Sequence, residues 1–413
     1  MAQRTPTGMR LHIGIFGRRN VGKSSLLNAI TKQTVSIVSG CAGTTTDPVG
    51  KPMELLPLGP VLFIDTAGID DIGPLGELRI EKTMRVFNRT EIGVLVAEAQ
   101  QWGEFEEEIL KEFSTRNIPA IVVFNKIDVN YPPDALVQKL TKEKISTVFT
   151  VASKGKGISE FREALLQNAP DELMVNRPII RDLVGPGEMA MLVIPVDKEA
   201  PKGRLILPQV QTIRDLLDGE AYCMVVQEGQ LEKALNQLKT PPKLVVTDSQ
   251  AFVNVATITP EDVPLTGFSV LFSRLKGDLR SQVRGAVAID RLKPGDRILV
   301  AEACTHHPIG EDIGRIKIPK WLRDYVGGEL HFDTVAGKDW PEDVSSYQLV
   351  IHCGACTFNR KATMSRILQC EEQGTPITNY GLAIAFSQGI LDRALQPFPE
   401  VFEEYLKSCG KKP

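Results

Sequence analysis

The chain has 413 residues, 42% of them apolar and 24% charged, with 48 Lys and Arg set against 51 Asp and Glu. This length suggests about two to four domains, each able to bury its own core, and the near-balance of charge argues against a general electrostatic grip on nucleic acid or an anionic membrane. No run approaches the roughly 20 apolar residues of a membrane span and no signal-peptide stretch precedes the first strand, so a cytoplasmic protein is expected, its seven cysteines kept reduced as ligands, reactive thiols or core residues.

A first block runs over residues 8–172. LHIGIFG is an apolar strand entering a glycine turn, and SSLLNAITK continues as a helix. VLFID, IGVLVAEA and AIVVFNK are further apolar runs, separated by helix-like segments such as EEEILKEF. Apolar strands alternating with helices predict an α/β fold with a parallel, doubly wound sheet.

Within that block, Gly17-Arg18-Arg19-Asn20-Val21-Gly22-Lys23-Ser24 fits G-x-x-x-x-G-K-[ST], with a strand before it and a helix after it. The backbone N–H groups of such a turn, through Ser25, cradle phosphates. Lys23 is placed to reach the β- and γ-phosphates and Ser24 to bind Mg²⁺. Asp65-Thr66-Ala67-Gly68 closes another apolar run: Asp65 is a second Mg²⁺ holder, and the Gly68 N–H faces the γ-phosphate. Asn125-Lys126-Ile127-Asp128 closes a third. The Asp128 carboxylate accepts from the N1 and N2 donors of guanine, a pair that adenine lacks; Asn125 supports the base loop and Lys126 packs over it.

These motifs together resemble the TrmE/Era-like GTPases over about 165 residues. The resemblance implies a GTP/GDP site with Mg²⁺. Gly43-Thr44-Thr45-Thr46-Asp47 is similar to switch I, with Thr45 as the Mg²⁺ and γ-phosphate ligand and Thr44 as the alternative. Val151-Ala152-Ser153 stands where the family reads guanine O6, although Val151 departs from the usual pattern; contact through the Ala152 N–H survives that departure. Asn20 matches the asparagine that ligates K⁺ in potassium-activated relatives. Lys23, Thr45 and Gly68 are the residues expected to act on the transferred phosphate. Ile69 replaces the water-positioning glutamine of Ras-like proteins, so a slow, regulatory hydrolysis is expected, with Asp70, Asp71 and Glu77 as candidates to substitute for that glutamine.

A second block, 180–267, carries MAMLVIPVD, AYCMVVQ and KLVVTD as strands and PQVQTIRDLLD and GQLEKALNQLK as helices. It contains no catalytic constellation and reads as a structural or dimerisation module. The third block, 268–413, has two strands, GDRILVAEAC and YQLVIHCG, that each end on potential metal ligands. Open α/β sheets place ligands at strand C-termini. Arg274, Lys276 and Arg280 read as a solvated surface, or else as a cationic face near those ligands.

The ligand pattern is Cys304-x-His306, then residues 307–351, then His352-Cys353-x-x-Cys356. Three thiolates and a histidine close a structural zinc site. They equally hold three irons of a [4Fe–4S] cluster and leave the fourth with a weaker ligand; spacing leaves both open. His306 and His352 are possible fourth ligands or hydrogen-bonding neighbours, and alternation along a strand sends His352 and Cys353 to opposite sides. Cys223 and Cys370 read as core, Cys41 as an exposed thiol and Cys409 as tail.

A P-loop GTPase followed by this pattern, with GRRNVGKSS, GTTTDPV, APKGRLILPQVQTIR, KLVVTDSQ, CTHHP, EDIGRIKIP and HCGACTFNR, resembles the [FeFe]-hydrogenase maturation GTPase family, HydF, over essentially the full chain. The resemblance implies a homodimer of chains built from GTPase, dimerisation and cluster-binding domains, with Cys304, Cys353 and Cys356 holding a [4Fe–4S] cluster. It implies a scaffold for a diiron precursor, served by two radical-SAM maturases and delivering to the hydrogenase apoprotein. The alternative is an RNA- or ribosome-associated GTPase with a structural zinc site, which the balanced charge and lack of a recognisable RNA-binding module disfavour.

Overall fold

Short, fully apolar segments dictate the first sheet. β1 (Leu11–Phe16) and β4 (Ile92–Ala97) are buried at every position, as central strands covered on both faces must be. With β2 (Val49–Leu55), β3 (Gly59–Asp65), β5 (Ala120–Asn125) and β6 (Ser146–Thr150) they form one sheet in the order β2-β3-β1-β4-β5-β6. All neighbours are parallel except β2, which runs antiparallel to β3. The predicted parallel sheet therefore carries one antiparallel edge.

The computed structural model describes residues 5–33, 49–55, 58–66, 84–170, 177–195, 205–303, 312–337 and 339–410. The chain divides into two units, 1–177 and 178–413. In the first, the helix Glu104–Thr115 opens on Glu104, Glu106 and Glu107, which complement the positive end of the helix dipole. It buries Ile109, Leu110 and Phe113, and the Phe113 ring meets Phe16 and Phe87 edge-on at 5.1 and 5.6 Å.

The second unit holds two four-stranded parallel sheets. In one, β7 (Met189–Val193), β8 (Tyr222–Val226), β9 (Leu244–Thr247) and β10 (Leu265–Gly267) take the order β10-β9-β7-β8. In the other, β11 (Arg297–Glu302), β12 (His331–Ala336), β13 (Leu349–His352) and β14 (Ile377–Asn379) take the order β12-β11-β13-β14. The two sheets share one core: Met191, Leu192 and Val246 belong to the same apolar cluster as Ile298, Leu349 and Ile351. The helix Phe268–Lys276 joins them, burying Phe268, Leu271 and Phe272 in that cluster. Thr266 at the end of the first sheet donates to Ala394 O at 2.8 Å. No helix among the described residues is long and apolar enough to cross a membrane.

The sheet orders place the ligand-bearing ends. β11 has β12 on one side and β13 on the other, so the chain reverses its winding between β11 and β13. Such a switch point opens a crevice at the strand C-termini.

Candidate functional site

At the nucleotide end, the turn between β1 and the helix Lys23–Gln33 is the P-loop. Val21 is fully buried and anchors it. Gly22 has φ +100°, and a Cβ there would stand 2.2 Å from Asn125 Nδ2; only glycine fits on both counts. Asn125 is 3% exposed. It donates to Val21 O at 2.9 Å and accepts from Thr150 Oγ1 and Ala152 N–H, both at 3.0 Å. One amide thus ties the P-loop to β6 and to the turn after it. The Ala152 N–H, expected to face guanine O6, bonds Asn125 Oδ1 here.

Asp128 lies exposed at the surface, where Lys154 Nζ bonds its carboxylate at 2.8 Å and holds it below the ordinary carboxylate range. Lys126, in the left-handed region at φ 59°, donates to Asn20 O at 2.8 Å and pairs with Glu98 at 2.5 Å. Asn20 is exposed and also left-handed, at φ 64°. Ser25 and Ser153 are exposed.

Lys23 is buried, its Nζ donating to Gly17 O and Arg18 O at 2.6 Å each. Ser24 Oγ stands 3.4 Å from Asp65 Oδ2. The other oxygen, Asp65 Oδ1, is buried without a hydrogen-bond partner, and burial pushes this carboxyl up, against the pull of Lys23, Lys51 and Ser24. A hard cation between Ser24 and Asp65 satisfies that orphaned oxygen, so the residues present fit Mg²⁺. Thr44, Thr45, Gly68, Ile69, Asp70, Asp71 and Glu77 lie outside the described residues.

One pair went unnoticed in the sequence. Arg18, inside the P-loop, forks onto Glu106 at 2.7 and 3.0 Å and lies 4.9 Å over the Phe105 ring. Glu106 is 1% exposed and also accepts the Gly103 N–H at 2.9 Å. Only its place in an acidic first turn hinted at it.

At the cysteine end, β11 and β13 pair directly, with Ala301 opposite His352. Cys353 N–H continues the ladder to Ala301 O at 2.8 Å. Ala303, the residue before Cys304 in sequence, donates its N–H to Cys353 Sγ at 3.0 Å, and Thr357 Oγ1 donates to Ala303 O at 3.1 Å. Cys304, His306 and His307 lie outside the described residues. Cys353 and Cys356 are half-buried around a turn in which Ala355 takes φ 51°.

Two buried cations flank this turn. Lys276 Nζ donates to Ala355 O, Cys356 O and Phe358 O at 3.0–3.1 Å; burial pulls it down to about 8, against the attraction of Cys356 and Cys353 in their ionised form. Arg366 lies 4.5 Å from the rings of both Trp340 and Phe358 and donates to Gly337 O at 2.9 Å. Burial pushes the Cys356 thiol up, and Lys276 opposes that shift; the cations and the N–H aimed at Cys353 Sγ would favour thiolates bound to a metal, so the two cysteines among the described residues suit a soft metal or cluster.

His352 is buried, and both its nitrogens are engaged. Nδ1–H donates to Cys353 O and Nε2 accepts from Arg366, each at 2.8 Å. Burial and the Arg366 charge push it down to about 3, so the ring is neutral. In this geometry it has no lone pair left for iron and instead braces Cys353 from behind.

Of the three cationic residues singled out in sequence, only Lys276 reaches the site. Arg274 is spent on Asp182, at 2.7 and 2.8 Å, and Arg280 pairs with Glu400. Cys370 is fully buried, its thiol pushed up to about 12 by that burial.

A strand-order-β2-β3-β1-β4-β5-β6 unit with a P-loop and an Asn125–Asp128 base loop is a P-loop GTPase, and its ligands are GTP or GDP with Mg²⁺. Residues 12–126 match the model of the 50S ribosome-binding GTPase family. Residues 179–277 match the hydrogen maturase F dimerization domain and residues 280–397 the hydrogen maturase F tetramerization domain. These last two cover more than half of the chain, which belongs to the hydrogen maturase F (HydF) family, GTPases of hydrogenase maturation.

Among curated proteins, the tRNA modification GTPase MnmE of Synechococcus sp. (strain JA-3-3Ab) is 41% identical over 165 residues, 39% of this chain and 34% of that protein. GTPase Der of Wolinella succinogenes is 32% identical over 167 residues, 38% and 35% of the two chains. The chain thus spans about a third of the length of these relatives, and the likeness is that of the GTPase domain. A solved structure of Era from Aquifex aeolicus bound to GDP·AlF4⁻ is 22% identical, over 60% of this chain and 97% of that one, with a TM-score of 0.32.

Proposed function

We propose that this chain is a GTP-hydrolysing scaffold that carries a [4Fe–4S] cluster and delivers the diiron precursor of the [FeFe]-hydrogenase active site. Residues 8–172 form the GTPase domain, 180–267 the dimerisation domain and 268–413 the cluster-binding domain. Gly17, Asn20, Val21, Gly22, Lys23, Ser24 and Ser25 cradle the phosphates, and Lys23, Thr45 and Gly68 act on the γ-phosphate. Ser24, Thr45 and Asp65 hold Mg²⁺, and Asn20 is the K⁺ ligand. Asn125, Lys126, Asp128, Ala152 and Ser153 form the guanine loop. Binding the base requires Asp128 to exchange Lys154 for guanine.

Cys304, Cys353 and Cys356 hold the cluster, which supplies an iron open to exchangeable ligands. The observation that carries this reading is the pairing of β11 with β13 at a switch point, with the Ala303 N–H on Cys353 Sγ. Lys276, His352 and Arg366 fix the turn that presents the thiolates. Two radical-SAM maturases and the hydrogenase apoprotein are the partners, in the cytoplasm. Supporting a homodimer, β8 is an edge strand among the described residues and leaves Tyr222 and Val225 exposed, a ladder suited to a second copy.

The test is the metal content of the full chain purified without air. About four irons and four sulfides per chain are expected; one zinc without sulfide would sink the scaffold reading and leave a GTPase with a pinned C-terminal domain.

A further inference from the structure

The ends of β13 and β14 are adjacent, with His352 paired to Asn379. The next residues along each strand are Cys353 and Tyr380, so the tyrosine starts beside the cysteine turn. Its hydroxyl reaches the far side of that crevice: a Cβ built on Gly314 would stand 2.0 Å from Tyr380 Oη. Gly314 belongs to the π-helical turn Ile313–Lys317, which lies by the end of β11, where Arg315 pairs with Glu302 at 2.9 Å. The Tyr380 side chain therefore spans the switch point, from the end of β14 to the segment beside the end of β11.

Tyr380 Oη is buried and has no hydrogen-bond partner. Its polar neighbours are already satisfied by one another. Glu302 accepts from Arg315, and Asp312 Oδ1 accepts the N–H groups of Gly314 and Arg315 at 2.8 and 3.0 Å. Burial holds the hydroxyl in its protonated, donating form, and the Cys353 thiolate acts in the same direction. The missing side chain at Gly314 makes room for the Tyr380 hydroxyl itself, which no protein group claims. Buried hydroxyls without partners are rare and call for a ligand or a water.

We propose that Tyr380 Oη donates a hydrogen bond to a small anionic ligand on the cluster's open iron, and so helps to hold the cargo end of the scaffold. The assignment rests on the cluster reading above. It adds a donor beyond the cysteine pattern, supplied by the first residue of the helix Tyr380–Ser387, which follows a strand that holds none of the thiolates. The chemical class it selects is a compact anion, such as cyanide, that accepts a hydrogen bond while its other end binds metal.

The test is Tyr380→Phe in the full chain, reconstituted without air. The substitution removes one oxygen that has no partner in the protein, so the variant is expected to fold and to load iron and sulfide as the wild type does. Cyanide is then titrated into the dithionite-reduced protein and followed by electron paramagnetic resonance. A hydrogen bond to a charged group predicts an apparent Kd raised about tenfold or more in the variant, with a displaced spectrum for the cyanide-bound form. Equal affinity and an unchanged spectrum would overturn the assignment, as would a wild-type cluster that takes up no cyanide. A wild type that holds zinc and no sulfide would instead remove the cluster reading on which the assignment depends.

Discussion

At the residue scale, the base loop is closed on itself, and opening it has consequences that can be measured. Asp128 is held by Lys154, the neighbour that the proposed guanine contact displaces. Lys154→Ala is expected to tighten GDP binding a few-fold at most, since exposed ion pairs are weak, and a fluorescent-GDP titration measures it. Asp128→Asn is expected to weaken GDP binding strongly and to admit xanthine nucleotides, whose C2 carbonyl meets the new amide. An unchanged preference for guanine over xanthine would mean that Asp128 does not read the base. Asn125 is different in kind, because its amide bonds lie within the protein. Asn125→Ala strands the buried partners of that amide and is expected to cost about 2–4 kcal/mol of stability, seen in urea unfolding of the first unit. The motif letters alone pointed to Asn125, Lys126 and Asp128, because guanine recognition needs such groups at such a spacing. They could not show that Ala152 N–H is bound to Asn125, or that Lys154 covers Asp128. Both depend on how separate loops fold back on each other.

At the element scale, the helix Phe268–Lys276 ends on the cysteine turn. Its last residue, Lys276, bonds three carbonyls there, while Arg360 returns a bond to Leu275 O at 3.2 Å. Lys276→Met is expected to leave those carbonyls unpaired and to destabilise the metal-free second unit by about 2–3 kcal/mol. Iron per chain after anaerobic gel filtration should fall as well. Full iron retention with unchanged unfolding would remove Lys276 from the support of the turn. The strands that were legible in the sequence, such as β1, β5, β7 and β13, are apolar because both their faces are covered. The ones that escaped were edges or short. β12 is exposed or half-exposed along its length and reads HFDTVA, with no apolar face to give it away. β14 is three residues, ITN, and the antiparallel β2 contains Pro52, which marks an edge rather than a central strand. This gap bears on function: with β14 unseen, nothing in the sequence brought Tyr380 to the side of Cys353. His352 was legible as a ligand type but not in its role, since its engagement by Arg366 depends on a helix fourteen residues further along the chain.

At the scale of the whole molecule, the apolar clusters divide cleanly. Among the described residues, the clusters of 1–177 contain no residue of 178–413, whereas the two sheets of the second unit share one cluster. Cooperativity follows shared cores, so the chain is expected to unfold in two transitions rather than three. GDP with Mg²⁺ is the ligand of the GTPase domain in the first unit and binds it in the folded state. At a ligand concentration of about 100 Kd it should raise that transition by about 2.7 kcal/mol and leave the other in place. Cys353→Ser tests the same division from the other end. It replaces a proposed cluster thiolate by a hydroxyl, which can still accept the Ala303 N–H but is a poor ligand for iron, so iron binding and hydrogenase activation should be lost while GTP turnover persists. Calorimetry of the wild type with and without GDP, set beside GTP turnover of the variant, separates the outcomes. If GDP raised both transitions, or if the variant lost GTP turnover, nucleotide and cluster would be coupled through the folding of the chain itself. If neither occurs, a signal between them must arise in a nucleotide-dependent arrangement of two independently stable units.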